Sequence, residues 1–478
     1  MLDTAAVLGA LGTVLVLVAQ RREILVPGFA LLAAAEVLLA HAGGLSLSAG
    51  LIGAGLFGVV VAAVAAAFLL RAPWLVLPLL VVAAPFRLPL DFGREHTVYV
   101  AIAHGGQLGR LLPLYAVLSV CVLAFLWEVL RGRPVKALPR ELAWPAAAFL
   151  AFTSLSLLWS SEAESGRTLL EFFLLPFACL VAVAGRAAFP ARMPRILAYI
   201  AVTLASVFAV VGIVEAATHR LIFYSHNLQV ANTYSSFFRV TSLFRDPNLY
   251  GRHVVLGIVV LVVCLLLRKV DVVIGAALIA VMWIGLYFSY SQSSYAALFV
   301  SVFAVLIATA EGRVRWVALA GAVVVALVAA GIAAPKVADT SVRKATSDRS
   351  RRIELTAKVY KHHPLVGVGI GGQPIESQRL ADRPASRQAF VSHTTPLTVA
   401  AELGTVGVLL YLALLAGSAA TLWAVWRRHQ ALGLSLAAVF LALFVHALAY
   451  SGFFEDPMTW LVLAVASAFL ATSPSLEQ

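Results

Sequence analysis

Charge is scarce in this chain. Only 12% of its 478 residues are Asp, Glu, Lys or Arg, against 62% hydrophobic residues and a mean hydropathy of +0.94. That composition excludes a soluble globular domain and requires an integral membrane protein. Cysteine is scarcer still. Cys121, Cys179 and Cys264 fall inside apolar runs at no ligand spacing, which excludes a disulfide framework or thiolate metal site and leaves small buried hydrophobes. No Asp-x-Asp occurs, and Glu162-Ala163-Glu164, beside Arg167, is the nearest equivalent of an acidic metal pair. A solvated loop with Arg167 neutralising the charge is the simpler reading of that stretch. The first apolar run lacks a basic n-region and a credible cleavage site, so it is expected to stay in the mature chain. Ionisable residues are nearly missing from the centres of the apolar runs. Glu36 and His446 are the main exceptions, each read as a satisfied interhelical polar contact. With no convincing internal repeat and no central polar pathway, a transporter is the competing class rather than the favoured one.

What the chain does have is long apolar runs. A spanning helix needs roughly 20 mainly apolar residues, and about thirteen to fifteen such spans are expected. They lie near 3–19, 24–41, 49–70, 73–90, 111–130, 142–159, 168–185, 195–217, 249–268, 270–290, 292–311, 316–334, 395–426, 431–451 and 457–472. Alternate breaks are basic: Arg21-Arg22, Arg71, Arg131 to Arg140, Arg186 to Arg195, Arg268-Lys269, Arg313 with Arg315, and Arg427-Arg428. Short basic loops stay in the cytoplasm, so the segment Pro335 to Ser392 is expected on the outer side. It carries eleven of the 35 Lys and Arg residues against five acids. Either it handles something anionic or it is a solvated, headgroup-contacting loop.

Three stretches at that outer face carry candidate chemistry. In Phe238 to Arg252, Asp246-Pro247-Asn248 reads as a turn and helix start with Arg239, Arg245 and Arg252 around it; by motif shape alone this is an ordinary capped helix with headgroup-contacting arginines, and the alternative is a helix N-terminus suited to phosphate oxygens. In Asp348 to Gly372, a basic helix carrying Arg349, Arg351 and Arg352 ends at Pro364. Glycines 367, 369, 371 and 372 then permit tight turns or close backbone approach. Their spacing is not that of a dinucleotide fold, and nothing in the chain calls for a nucleic acid. The third stretch is the junction at His393, where the basic loop meets a span. An imidazole with an ordinary pKa of about 6.5 is a suitable proton acceptor there. Glu402 lies nine residues on and need not touch His393; it either pairs with a loop arginine or caps a neighbouring helix.

His393-Thr394 followed by Gly404-x-x-Gly407 resembles the histidine signature of the O-antigen ligase and O-antigen polymerase superfamily of bacterial membrane glycosyltransferases. Arg239-x-x-Ser-Leu-Phe-x-Asp-Pro-Asn and His363-Pro364-Leu365-Val366-Gly367-Val368-Gly369 are similar to two further elements of that family, in the same order. The resemblance covers roughly residues 200–450. It implies an all-α polytopic membrane protein of the GT-C-like type, with one large basic extracytoplasmic loop containing short helices. Hydropathy and these motifs together divide the chain into N-terminal helices (1–217), a helical region with the arginine motif (218–334), the loop (335–392), C-terminal helices (393–472) and a tail (473–478), the upstream half on hydropathy alone. His226-Asn227 has the family dipeptide without the glycine spacing and reads as a loop pair.

The resemblance also implies roles. His393 would be the catalytic base, Arg239 the first diphosphate-binding arginine and Arg349 the second, with Arg351 and Arg352 as rivals; Asn248, Glu402, Gly404, Gly407, Gly367 and Gly369 would support them. Thr394 stands where Asn is common, and Ser291-Gln292-Ser293 where many members carry Ser-Arg, which makes Arg245 or Arg252 the candidate substitute. The implied partners are a polyprenyl diphosphate-linked oligosaccharide donor, a glycan or glycolipid acceptor and membrane lipids, with no cofactor and no metal. The implied setting is the bacterial inner membrane, with the site on the extracytoplasmic face. A metal-dependent membrane glycosyltransferase using the Glu162 and Glu164 pair, and an inactive scaffold, are the remaining alternatives.

Overall fold

A computed structural model describes residues 1–44, 49–86, 111–223, 226–244, 246–313, 315–324, 349–381, 390–392, 394–450 and 452–472. His393, Arg245 and the tail lie outside these residues, as does the side chain of Arg349. The described residues form helices and connecting turns with no strand, so the expected all-α polytopic membrane protein is what the chain builds.

Nine described helices are long and apolar enough to cross a membrane, or up to ten if one bent pair counts as a span. Four shorter apolar helices, Leu2–Val18, Val272–Tyr287, Arg315–Val324 and Pro457–Leu470, accompany them. The expectation of thirteen to fifteen full spans treated Leu2–Val18, Val272–Tyr287 and Pro457–Leu470 as full-length, while the expected run 316–334 continues past residue 324 outside the described residues. The runs near 49–70 and 73–90 are not two straight spans: Gly55–Leu69 and Pro73–Ala83 meet at 113°. Pro73 sets that break, because its ring cannot continue the preceding helix. His226-Asn227, read as a loop pair, instead opens the short helix His226–Tyr234.

Pro457–Leu470 and Leu175–Ala184 run through the centre of the bundle, buried on almost every residue. They pack on each other, and the long helix Thr395–Arg428 packs on Pro457–Leu470, on Arg140–Leu155 and on Gln430–Ala447. A second group joins Met193–Thr218, Pro247–Leu266, Val272–Tyr287 and Gln292–Thr309 to Gln430–Ala447. The outward faces stay apolar, as Leu56, Phe57, Val60, Val272 and Val273 show. Lipid contact explains that exposure.

Because lipid tails are as apolar as leucine, helix association here depends on close packing at small residues. A Cβ on Gly417 would lie 1.9 Å from the Glu141 carbonyl oxygen, so the Thr395–Arg428 and Arg140–Leu155 helices touch backbone to backbone. Gly12 and Gly28 seat the first two helices together in the same way. Gly417→Ala is expected to lower stability by about 1–3 kcal/mol through overpacking. Gly53→Ala, at a glycine with open space around it, should leave the thermal unfolding midpoint in detergent unchanged or raised. Equal midpoints for the two variants would refute the close contact.

Candidate functional site

The expected basic helix forms over Arg349–His362, followed by the glycine series and a short helix, Gln373–Ala381. The loop therefore contains short helices, as expected. The glycines have a definite task. Inside Thr395–Arg428, Gly404 leaves helical geometry at φ 64° and ψ −163°, a region open essentially to glycine alone. A broken helix releases carbonyl and amide groups that must be satisfied within the protein. The glycine loop satisfies them. Val368 and Gly369 donate to the carbonyls of Ala401 (3.1 Å) and Glu402 (2.8 Å), and Thr405 and Val406 donate to those of Pro364 (2.8 Å) and Leu365 (3.2 Å).

This exchange requires backbones to approach where no Cβ fits. A Cβ on Gly367 would lie 2.3 Å from the Glu402 carbonyl, and one on Gly404 2.3 Å from that of Leu365. Gly367, Gly369 and Gly371 all take positive φ, at 68°, 81° and 75°. Gly407 lies against Leu403 on the far side of the break. The opposite edge of the loop is held from the N-terminal half of the chain. Ser160 Oγ donates to the Ile370 carbonyl (2.7 Å), Ser156 Oγ accepts from the Ile370 amide (3.1 Å), the Ser161 amide donates to the Val368 carbonyl (2.9 Å), and the Trp159 indole donates to the Val366 carbonyl (3.2 Å).

Gln373 organises the approach to His393. Its buried amide nitrogen has two hydrogens and three acceptors in reach: Ser377 Oγ (2.7 Å), Thr356 Oγ1 (3.0 Å) and the Phe390 carbonyl (3.1 Å). Its carbonyl oxygen accepts from the Ser392 amide at 3.0 Å. On the other side of His393, the Thr394 hydroxyl donates to the Leu448 carbonyl at 3.3 Å. Of the two roles open to Glu402, the described residues show the cap: Glu402 Oε1 accepts from the Gln373 amide at 3.4 Å, at the start of the Gln373–Ala381 helix.

Leu448 leads into a corner built from three capped helix starts. Asp246 accepts from the amides of Asn248 (2.7 Å) and Leu249 (3.0 Å), the turn and helix start expected from Asp246-Pro247-Asn248. Its second oxygen accepts from the Tyr450 hydroxyl at 2.8 Å. Ser291 caps Gln292–Thr309 and donates to Asn248 Oδ1 at 2.9 Å. Asp456 caps Pro457–Leu470 and forms a buried ion pair with Arg252. Arg252 Nε donates to His446 Nδ1 at 3.2 Å. Since guanidinium only donates, the ring hydrogen sits on Nε2, which donates to Ser293 Oγ at 3.1 Å. His446 is thus the satisfied interhelical contact expected of it. Glu36 is not, because its Oε1 is buried without a hydrogen-bond partner among the described residues.

Arg239 sits on a turn held on three sides. Its backbone exchanges hydrogen bonds with the Asn232 side chain (3.0 and 2.9 Å), and its Nε donates to the Ser289 carbonyl at 3.1 Å. Glu215, overlooked in the sequence, is fully buried and accepts from the amides of Thr241 (2.8 Å), Ser242 (2.7 Å) and Ile222 (2.7 Å). Arg252 is 3% exposed, with its guanidinium turned to Asp456 and His446 rather than open to a ligand. Arg351 and Arg352 are half-buried on the basic helix. Glu164 pairs with Arg167 (2.5 Å), which also pairs with Glu171, so the charge is neutralised as expected, but the stretch is not the solvated loop expected: Ala163–Leu169 is helical and Arg167 is buried. Gln373, Glu215 and the serines at 156, 160 and 161 carried no sequence signal. Asp456-Pro457 did, since it repeats Asp246-Pro247.

Residues 277–412 match the family model described as O-antigen ligase. That match supports the resemblance to the O-antigen ligase and O-antigen polymerase superfamily. It includes Arg349, the glycine loop, His393, Glu402, Gly404 and Gly407, whereas Arg239 and the Asp246 turn lie ahead of it. No curated protein matches the chain. An O-antigen ligase match is consistent with a multi-pass membrane protein of glycosyltransferase type.

Two substitutions test this architecture. Gln373→Ala leaves the Phe390 carbonyl and the Ser392 amide without partners, at about 1–3 kcal/mol. Hydrogen exchange at residues 390–392 should accelerate about tenfold or more, while exchange in the Pro457–Leu470 helix stays slow. Gly404→Ala forces a Cβ against Leu365, and proteolytic cleavage within 364–372 should become rapid. Unaltered cleavage would show that the pairing across the break is dispensable.

Proposed function

We propose that this protein is an inverting, metal-independent glycosyltransferase that moves a glycan from a polyprenyl diphosphate carrier to an acceptor hydroxyl on a lipid-linked or cell-envelope glycan. His393 takes the proton of the acceptor hydroxyl, whose oxygen attacks the anomeric carbon. The bond to the diphosphate breaks with inversion, and lipid diphosphate leaves. Arg239 and Arg349 stabilise the charge developing on the diphosphate, as preorganised cations do in a partly dry site. Arg351 and Arg352, on the helix that begins at Arg349, and Arg245, six residues after Arg239 in the sequence, are the further basic contributors. Arg252 serves by holding the corner through Asp456 and His446. The reaction takes place on the extracytoplasmic face of the bacterial inner membrane.

One observation carries the reading: the chain is held on both sides of His393. Ser392 is bonded to Gln373 in the basic-loop wing, and Thr394 to Leu448 in the corner whose Tyr450 bonds Asp246, seven residues after Arg239. Such support from packed elements is what a base needs, since small displacements of a catalytic group are costly in rate. These bonds tie the chain to one wing directly and to the other through the Leu448 to Tyr450 segment. The engagement of Glu164 by Arg167 gives no support to the acidic-pair alternative.

Purified protein supplied with a polyprenyl diphosphate-linked oligosaccharide in chelator should transfer glycan. His393→Ala and Arg239→Ala should each reduce transfer by about 100-fold or more, the scale of losing a general base or an oxyanion-stabilising donor. Arg349→Ala should resemble Arg239→Ala if it is the second phosphate ligand. Transfer that persists in His393→Ala, or that chelator alone abolishes, would sink the mechanism. Movement of intact donor across a vesicle without transfer would favour the transporter reading.

A further inference from the structure

At the end of the bundle that carries the basic breaks, a cavity of about 230 Å3 opens beside the 113° bend between Leu69 and Pro73. Its apolar wall includes Leu70, Val76, Phe125 and Val129, and its polar wall Glu128, Arg133, Lys136 and Arg186. Arg133 pairs with Glu128 at 2.6 Å. The Lys136 ammonium is exposed and has no carboxylate partner among the described residues.

Arg186 is the unusual member. It is 5% exposed, and its guanidinium donates to the carbonyls of Lys136 (2.8 Å), Ala182 (2.8 Å), Ala19 (2.9 Å) and Leu17 (3.4 Å). No carboxylate pairs with it among the described residues. Burial lowers its pKa to about 10, so it remains a cation at neutral pH. A buried charge without a counter-ion is costly, and an anion in the adjoining space would relieve it. Three cations and one carboxylate leave the cavity wall with two positive charges in excess.

The depth of the cavity names the anion. Around it, Arg131 stacks on exposed Trp127 and Arg192 on Trp74, each 4.5 Å from the ring centroid. Tryptophan and arginine gather at headgroup level, so the polar wall lies at the phosphate plane and the apolar wall at the acyl chains. We propose that this cavity binds an anionic phospholipid. Its phosphate lies against Lys136 and Arg133, over the buried Arg186, and an acyl chain follows Leu70, Val76 and Phe125. None of the residues lining this cavity belongs to the proposed glycosyltransferase site, and its occupancy does not depend on that reading.

The test is native mass spectrometry of the whole protein exposed to phosphatidylglycerol or phosphatidylcholine, with thermal unfolding in parallel. Phosphatidylglycerol should be retained and should raise the unfolding midpoint, while phosphatidylcholine does neither. Lys136→Ala and Lys136→Ala/Arg133→Ala should weaken retention by about fivefold for each charge removed. Both side chains are exposed, so the variants should unfold as the parent does in phosphatidylcholine. Equal retention of the two lipids, or undiminished retention in the double variant, would overturn the proposal. So would stabilisation by inorganic phosphate equal to that by phosphatidylglycerol.

Discussion

Backbone hydrogen bonding in the absence of water governs this protein. A helix that breaks within a membrane bundle must have its freed groups met by another segment. At Gly404 that segment is the glycine loop, which both accepts from and donates to the backbone around the break. The dependence is mutual, since each backbone reaches the other only because Gly367 and Gly404 lack a Cβ. Everything at the loop-bearing end follows from that exchange. The basic helix Arg349–His362 leads into it, the Gln373–Ala381 helix begins just after it, and residues 156–161 clamp its other edge.

The corner at Leu448 solves a related problem with side chains. Three helices start there, and helix starts present unsatisfied amides. Asp246, Ser291 and Asp456 cap them, and each cap also reaches a neighbour: Tyr450, Asn248 and Arg252. Removing one partner would leave a buried polar group unmet, which costs more than the bond contributes. A network of this kind is rigid because it is fully connected. Rigidity at this corner suits the place where Thr394 anchors the chain next to His393.

The two ends of the bundle are charged for different purposes. At the basic-break end, cations lie on aromatic rings or against carbonyls, as suits a lipid interface. At the loop-bearing end, Arg239 is set on a turn whose backbone is held by Asn232 and Glu215. The first arrangement spreads charge along a surface, and the second places a single guanidinium.

The amino-acid sequence by itself determined the membrane class, the helical architecture, the Asp246 helix start and the order of the loop motifs. Each depends on local composition or on residues a few positions apart, where hydropathy and turn chemistry act directly. The helical reading stopped at Pro364, and a role in close backbone approach was legible for the glycines that follow. Their partner was not, because the contact joins residues 364–369 to 401–406 and to 156–161, far apart in the chain. Only the tertiary structure decided which role Glu402 takes, that Arg252 turns inward to Asp456, that Glu215 holds the arginine turn and that Gln373 braces the chain before His393. A buried polar group is defined by the donors and acceptors around it, and those come together only when distant segments pack.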